Sequence, residues 1–382
     1  MVYASSPDIG VFELRNYQTI RNLIKREGID CEWKSLPGCH AFFSQSLFET
    51  AVEYAEFVKN EAPELGHLFS VVTPQSTNPS LADLRIPHAV GALVQKHAAS
   101  LWPYKLVTWI LENLLSQNES EPKKPAFNLQ TNTPVTHLQK VADGWIVHTS
   151  RGMLATKTVL LTTNAYTSHL LPIFSDLIIP VRGEMTALQP PKSVQPVVME
   201  IIQQPLDHSY VFIGDNNQDE YLIQRPFSSS SAGCRGGELM FGGARNHSAS
   251  AGVGISDDSK IDLKAHAYLR NTLNVSLDLH NNDMELKASH EWSGIMGYSK
   301  DHHPWVGQVK EELGGGEGLW ISAGFTGHGM PNACLCAKAV VEMILETEQV
   351  ELPGGYQVDE YRATRVRGME LGDFFYLPQD MR

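Results

Sequence analysis

No stretch of the 382-residue chain approaches the ~20 consecutive apolar residues that a membrane-spanning helix needs. The most apolar segments, such as 170–181, are short and broken by Pro172, Asp176 and Pro180. The opening MVYASSPDIG has neither the basic nor the apolar region of a secretory signal, and the closing LPQDMR carries no peroxisomal address or prenylation box. Cysteine is scarce. Cys31, Cys39, Cys234, Cys334 and Cys336 are odd in number and form no Cys-x-x-Cys, which argues against a disulfide framework, zinc and thioredoxin chemistry. Reduced thiols in an intracellular, cytoplasmic protein are the expectation. Basic runs are also missing. Thirty Lys and Arg against 43 Asp and Glu leave a net charge of −13, which repels phosphate backbones and argues against nucleic acid as a partner. No internal repeat is present. What remains is an ordinary globular composition, 42% hydrophobic and 19% charged, long enough for two or three domains.

The apolar spacing in 12–28 predicts a helix that stops at Gly28, followed by a strand–turn–strand and a second helix over 46–60. Segment 88–115 has helical periodicity on both sides of Pro103, so two helices meeting there are expected, the second burying Leu106, Trp109, Ile110 and Leu114. A polar linker, SQNESEPKKP, leads to strand-like runs at 126–138, 144–149 and 157–162, with Asp143-Gly144 as a hairpin signal. From about 180 to 308 short strands alternate with polar turns, interrupted by one helix near 258–275. Segment 228–237, SSSSAGCRGG, reads as a loop.

The segment GLWISAGFTGHGMPNACLCAKAVVEMILE carries the most chemistry. Leu319–Ala323 reads as a buried strand, 324–330 as a tight turn with three glycines, and Pro331 or Asn332 as the start of an amphipathic helix. A helix N-terminus presents unpaired N–H groups and partial positive charge, and glycines let an anionic or electron-rich ligand reach the backbone. The same glycines would also serve tight strand–helix packing alone.

This segment resembles the C-terminal flavin signature of FAD-dependent oxidoreductases of the D-amino-acid-oxidase type, which include glycine, sarcosine and gamma-glutamylputrescine oxidases. Four further motifs match in the family's order: EWSGIMGYSKDHHPWVG at 291–307, VLLTTNAYTSHLLP at 159–172, NTPVTHLQ at 132–139 and PVRGEM at 180–185. The resemblance spans residues 12–347. It implies a mixed α/β fold in which an FAD/NAD(P)-binding-type domain interleaves with an antiparallel-sheet substrate domain. The expected division is 1–179 for the FAD-binding part, 180–308 for the substrate domain, 309–348 for the returning strand–turn–helix and 349–382 for a C-terminal tail. It also implies oxidation of an amine or amino-acid C–N bond by hydride transfer to non-covalent FAD, with oxygen as acceptor. The segment Ser293–Met296 has no cysteine for covalent attachment.

By the same resemblance Val135 meets the adenine, and Thr163, Asn164 and Ala165 line the cofactor's path. Gly324, Thr326, Gly327, His328, Gly329 and Met330 line the flavin. Asn164 could equally be a plain N-cap. His328, Tyr298 and His302 are the catalytic candidates. His302-His303 reads as a solvated or structural pair, since adjacent histidines cannot easily share a metal, and no metal is expected. Arg225, Tyr221 and Trp292 are the substrate-side candidates, Arg225 for a carboxylate. Arg182 reads as a brace for the domain crossover. One family feature is missing: the Gly-x-Gly-x-x-Gly βαβ unit occurs nowhere in the chain. Without it several charge-assisted hydrogen bonds of roughly 1.5–3 kcal/mol each are lost. Weak or absent FAD binding by this chain alone is therefore expected, as an incomplete gene model or as a non-catalytic binding or partner module.

Overall fold

The first helix, Pro7–Glu27, begins on a proline and stops where Gly28 turns left-handed at φ 63°. The structure, a computed structural model, describes residues 7–120, 126–191, 205–216, 218–230, 233–280, 285–348 and 350–369. After a bend at 29–33 one strand forms, Lys34–Phe42, where two were expected. The helix Gln45–Glu61 follows as anticipated.

Segment 88–115 departs from expectation. Gly91–Ser100 is a strand, paired antiparallel with Lys34–Phe42 and Phe69–Val72. Sheet pairing on both sides overrides its local helical spacing. Pro103 is the first residue of the helix Pro103–Ser120 rather than a kink between two helices. Among its described side chains none is fully buried: Leu106, Trp109 and Leu114 are half-buried, and Ile110 is exposed. Segment 228–237 also differs. Phe227–Ser230 and Gly233–Gly236 pair as a hairpin.

Eight strands make the large sheet. Their order is Ala288–Ser299, Ile178–Leu188, Leu239–Gly243, Gln218–Gln224, Ser209–Gly214, Lys34–Phe42, Gly91–Ser100 and Phe69–Val72. All neighbours are antiparallel except Lys34–Phe42 with Ser209–Gly214. Side chains alternate across the sheet. Leu188, Phe212, Leu222 and Phe241 point to one face and form the main core with Leu269 and Leu273 of the helix Leu263–Ser276. Asp262 caps that helix by accepting from Lys264 and Ala265 N–H.

A smaller sheet orders Trp305–Gln308, Leu319–Ala323 and Val159–Leu161, the last pair parallel. A meander of Val135–Val141, Gly144–Thr149 and Gly152–Thr156 stands beside it. The mixed α/β class expected from the sequence is the one formed. Residues beyond 348, expected as a tail, carry a packed helix, Glu360–Arg367, where described. Arg362 grips Asp301 through Nε (2.8 Å) and Nη2 (3.0 Å), lies over the Trp305 ring at 3.7 Å, and is itself buried. Asp301 also accepts from Ser299 Oγ at 2.7 Å. This buried pair fixes the segment between the two sheets. Among the described residues no helix is long and apolar enough to cross a membrane.

Candidate active site

The strand Leu319–Ala323 delivers the chain into a turn that crosses left-handed space three times, at Gly324 (φ 78°), Thr326 (φ 52°) and Gly327 (φ 73°). Threonine is rare there, and side-chain bonds hold it. Thr326 Oγ1 accepts from Ser299 N–H at 3.0 Å and donates to Gly324 O at 3.2 Å, and Thr326 N–H donates to Gly297 O at 2.8 Å. Asn164, itself at φ 45°, sends Oδ1 to the N–H groups of Gly324 (3.0 Å) and Phe325 (3.2 Å). Asn164 is thus a clamp on the turn and not an N-cap of its own helical turn.

A second clamp comes from the first helix. Asn16 Nδ2 donates to Met330 O at 3.0 Å and its Oδ1 accepts from Leu335 N–H at 2.9 Å. Asn332 Nδ2 donates to Glu13 Oε1 (3.2 Å) and His328 O (3.0 Å), and Tyr356 Oη donates to Asn332 Oδ1 at 2.8 Å. After all these bonds the N–H groups of Gly327, Gly329 and Met330 have no partner among the described residues, and Gly327 and Met330 are exposed. They stand ahead of the helix Ala333–Ile344, at its positive end.

His328 Nδ1 lies 3.1 Å from Thr326 O, an acceptor only, so Nδ1 carries the proton. Burial holds its pKa below the usual histidine range, so the ring is neutral at pH 7. His302, at φ 61°, is lowered to about 4 by desolvation and by His303 and His328. His40, from the large sheet, is lowered to about 3 by burial, with His328 among the contributing charges. Tyr298 packs on the turn: a side chain at Gly327 would meet its Oη at 3.3 Å and Met296 Sδ at 3.8 Å. The Arg245 guanidinium lies 5.3 Å from the Tyr298 ring centre and is ion-paired with Asp219.

The structure brings together Asn164, Ala165, Tyr298, His302 and the whole 324–330 turn. A side chain at Gly297 would meet Ala165 N at 2.7 Å, so glycine there permits the approach. Thr163 Oγ1 pairs with Thr167 Oγ1 at 2.8 Å, and Val135 O accepts from Tyr166 Oη at 3.1 Å. Tyr221 and Trp292 share the sheet face that Tyr298 and Met296 present to the turn, through the registers Trp292–Met185 and Tyr221–Gly242. Arg225 stands apart from them. Its guanidinium is held by Glu32 (3.4 Å) and Glu238 (3.3 Å) and lies over Trp102, so it braces strand to loop. Arg182 lies 2.9 Å from Glu184 as an ion pair and donates to Asp257 O at 3.3 Å. Glu13, Asn16, His40, Asp219, Arg245 and Met296 were not anticipated. No local pattern marks them, since each reaches the turn only through the fold. Among the described residues no group of three or more His, Cys, Asp or Glu could hold a metal.

Solved structures share this architecture. Glycine oxidase from Geobacillus kaustophilus superposes with a TM-score of 0.67 at 15% identity, covering 94% of this chain and 86% of its own. L-proline dehydrogenase from P. horikoshii gives 0.64 at 17% identity, covering 93% and 83%, and iminodiacetate oxidase from Chelativorans sp. BNC1 gives 0.64 at 13%, covering 93% and 85%. No curated protein matches in sequence. Residues 3–343 match the family described as FAD dependent oxidoreductase, and the chain belongs to that family.

Proposed function

We propose that the chain oxidises a C–N bond of an amine or amino acid with FAD, passing the electrons on to oxygen. The observation that carries this reading is the clamped turn at 324–330, with three N–H groups left over and Tyr298 against it. The residues present fit the flavin end of the cofactor. Backbone donors suit an electron-rich carbonyl edge, and glycine at 327 and 329 leaves room for close approach. Gly324, Thr326, Gly327, His328, Gly329 and Met330 would hold that end. Thr163, Asn164, Ala165 and Val135 would follow the rest. When bound, FAD supplies the acceptor for a hydride. The chain's own residues orient and deprotonate. Neutral His328, its Nδ1 proton fixed on Thr326 O, keeps Nε2 as the proton-accepting nitrogen. Tyr298 bounds the reacting space, and Tyr221 and Trp292 bound the substrate. Four free cysteines (Cys31, Cys39, Cys334 and Cys336) agree with an intracellular setting.

The chain holds no Gly-x-Gly-x-x-Gly, so a low affinity for the pyrophosphate part is expected. FAD titrated into the full chain is expected to give a saturable change in visible flavin absorbance that is lost on gel filtration. Asn164→Ala, which releases Gly324 and Phe325 N–H, is expected to weaken that binding at least tenfold. No spectral change at any FAD concentration would overturn the reading.

A further inference from the structure

The open face of the large sheet speaks to substrate class. In Ala288–Ser299 this face carries Trp292, Gly294 and Met296, with Tyr298 buried at the turn end among Val181, Ala251 and Val253, and in the paired Ile178–Leu188 it carries Gly183 and Met185. Gly242 and Tyr221 continue it. Contacts link these positions into one surface that begins at the turn. Met296 Sδ and Tyr298 Oη lie against Gly327, and Met296 Cε lies 2.7 Å from where a side chain at Gly183 would start. Tyr221 Oη donates to Met185 Sδ at 2.7 Å. Tyr221 and Trp292 are 46% and 38% exposed and flank Met185 on this one face. A side chain at Gly294, between Trp292 and Met296, would meet nothing within 4 Å, so there is room beside the rings.

Charge on this surface is neutralised. Asp219 and Arg245 are bonded to each other, and Arg225 is held by two carboxylates elsewhere. A substrate carboxylate laid here would lose its water without gaining a cationic partner among the described residues, which is costly. An ammonium is received differently. Aromatic faces attract cations, and thioethers and rings pack well against apolar substituents.

We infer that this surface selects an amine with an aromatic or extended apolar substituent and no carboxylate on the reacting carbon, with Met296 as the specificity-determining residue. The inference rests on the reading of the site as an amine or amino-acid oxidoreductase. The test is calorimetric titration of the full chain, with and without FAD, using 2-phenylethylamine and phenylalanine, which share a side group and differ by the carboxylate. The amine is expected to bind at least tenfold more tightly. Met296→Arg places a guanidinium on the surface and is expected to shift that ratio at least tenfold toward phenylalanine. Met296→Leu, with similar volume, is expected to keep the wild-type order. Equal or tighter binding of phenylalanine by the wild type, no binding of either ligand, or an unchanged ratio in Met296→Arg would overturn the inference. Failure of the flavin reading looks different: no flavin signal, with the amine preferred over phenylalanine all the same.

Discussion

On one face of the eight-stranded sheet, Glu184, Thr186, Leu222 and Phe241 are sealed beneath the helix Leu263–Ser276. On the other, one residue along each strand, Tyr221 and Trp292 are exposed, Met185 between them is half-buried, and Gly242 is buried beneath Met185 and Tyr221. The sealed face holds a buried charge network. His266 is fully buried, with Nε2 2.9 Å from Glu184 and Nδ1 3.2 Å from Glu291, and Arg270 and Arg182 complete the network. The open face holds rings, thioethers and glycines. Burial together with the ion pairs of Glu184, His266, Glu291 and Arg270 makes the first a support. The exposure of Tyr221 and Trp292 leaves the second available to the ligand proposed above.

Substitutions should separate the two faces. Phe241→Ala removes a fully buried ring and is expected to lower stability by about 3–5 kcal/mol in urea unfolding, with ligand order unchanged in the folded fraction. A shift in ligand order would show that the sealed face is not merely a support. Glu220 comes next. Its carboxyl is buried on the sealed side and pushed up from 4.5 to about 7 by desolvation, helped by neighbouring Asp219. The folded state therefore keeps this proton where the unfolded chain releases it. Its contribution to stability is fully present below pH 4.5 and is lost as pH rises to about 7, a change of about 3 kcal/mol. Glu220→Gln is expected to flatten that difference across the window. Parallel curves for the two proteins would refute the assignment.

Effects on the open face should be smaller for stability and larger for binding. Trp292→Ala and Tyr221→Ala are expected to change stability by less than about 1 kcal/mol while weakening amine binding severalfold by calorimetry. The smallest effect is expected at Arg225. Its pairs with Glu32 and Glu238 are partly solvated and contribute about 0–1 kcal/mol. Arg225→Gln should leave ligand affinities unaltered. A loss of carboxylate binding there would restore Arg225 to the site.

Legibility in the sequence followed the range of the interactions. The strand–turn–helix at 319–346 was readable because its signals are local: an apolar run, three glycines and an amphipathic stretch. Asn164 was readable through a five-motif resemblance, yet its role as a clamp needed the geometry. Asn16, at a separation of 319 residues from Leu335, left no local trace. Gly91–Ser100 was misread because its helical spacing is weaker than the two strand partners it finds in the sheet. The pairing of Arg225 with Glu32 and Glu238 had no local signal for the related reason that these partners lie on other segments, one of them 193 residues away.

The central claim is that backbone N–H groups of the turn receive the flavin. Amide hydrogen exchange of the full chain, followed at Gly327, Gly329 and Met330 with and without saturating FAD, tests it at the atoms concerned. The account predicts that these three amides, unpartnered among the described residues, exchange fast in the free chain and become protected when FAD is added. Unchanged exchange there, with FAD present and bound, would contradict it.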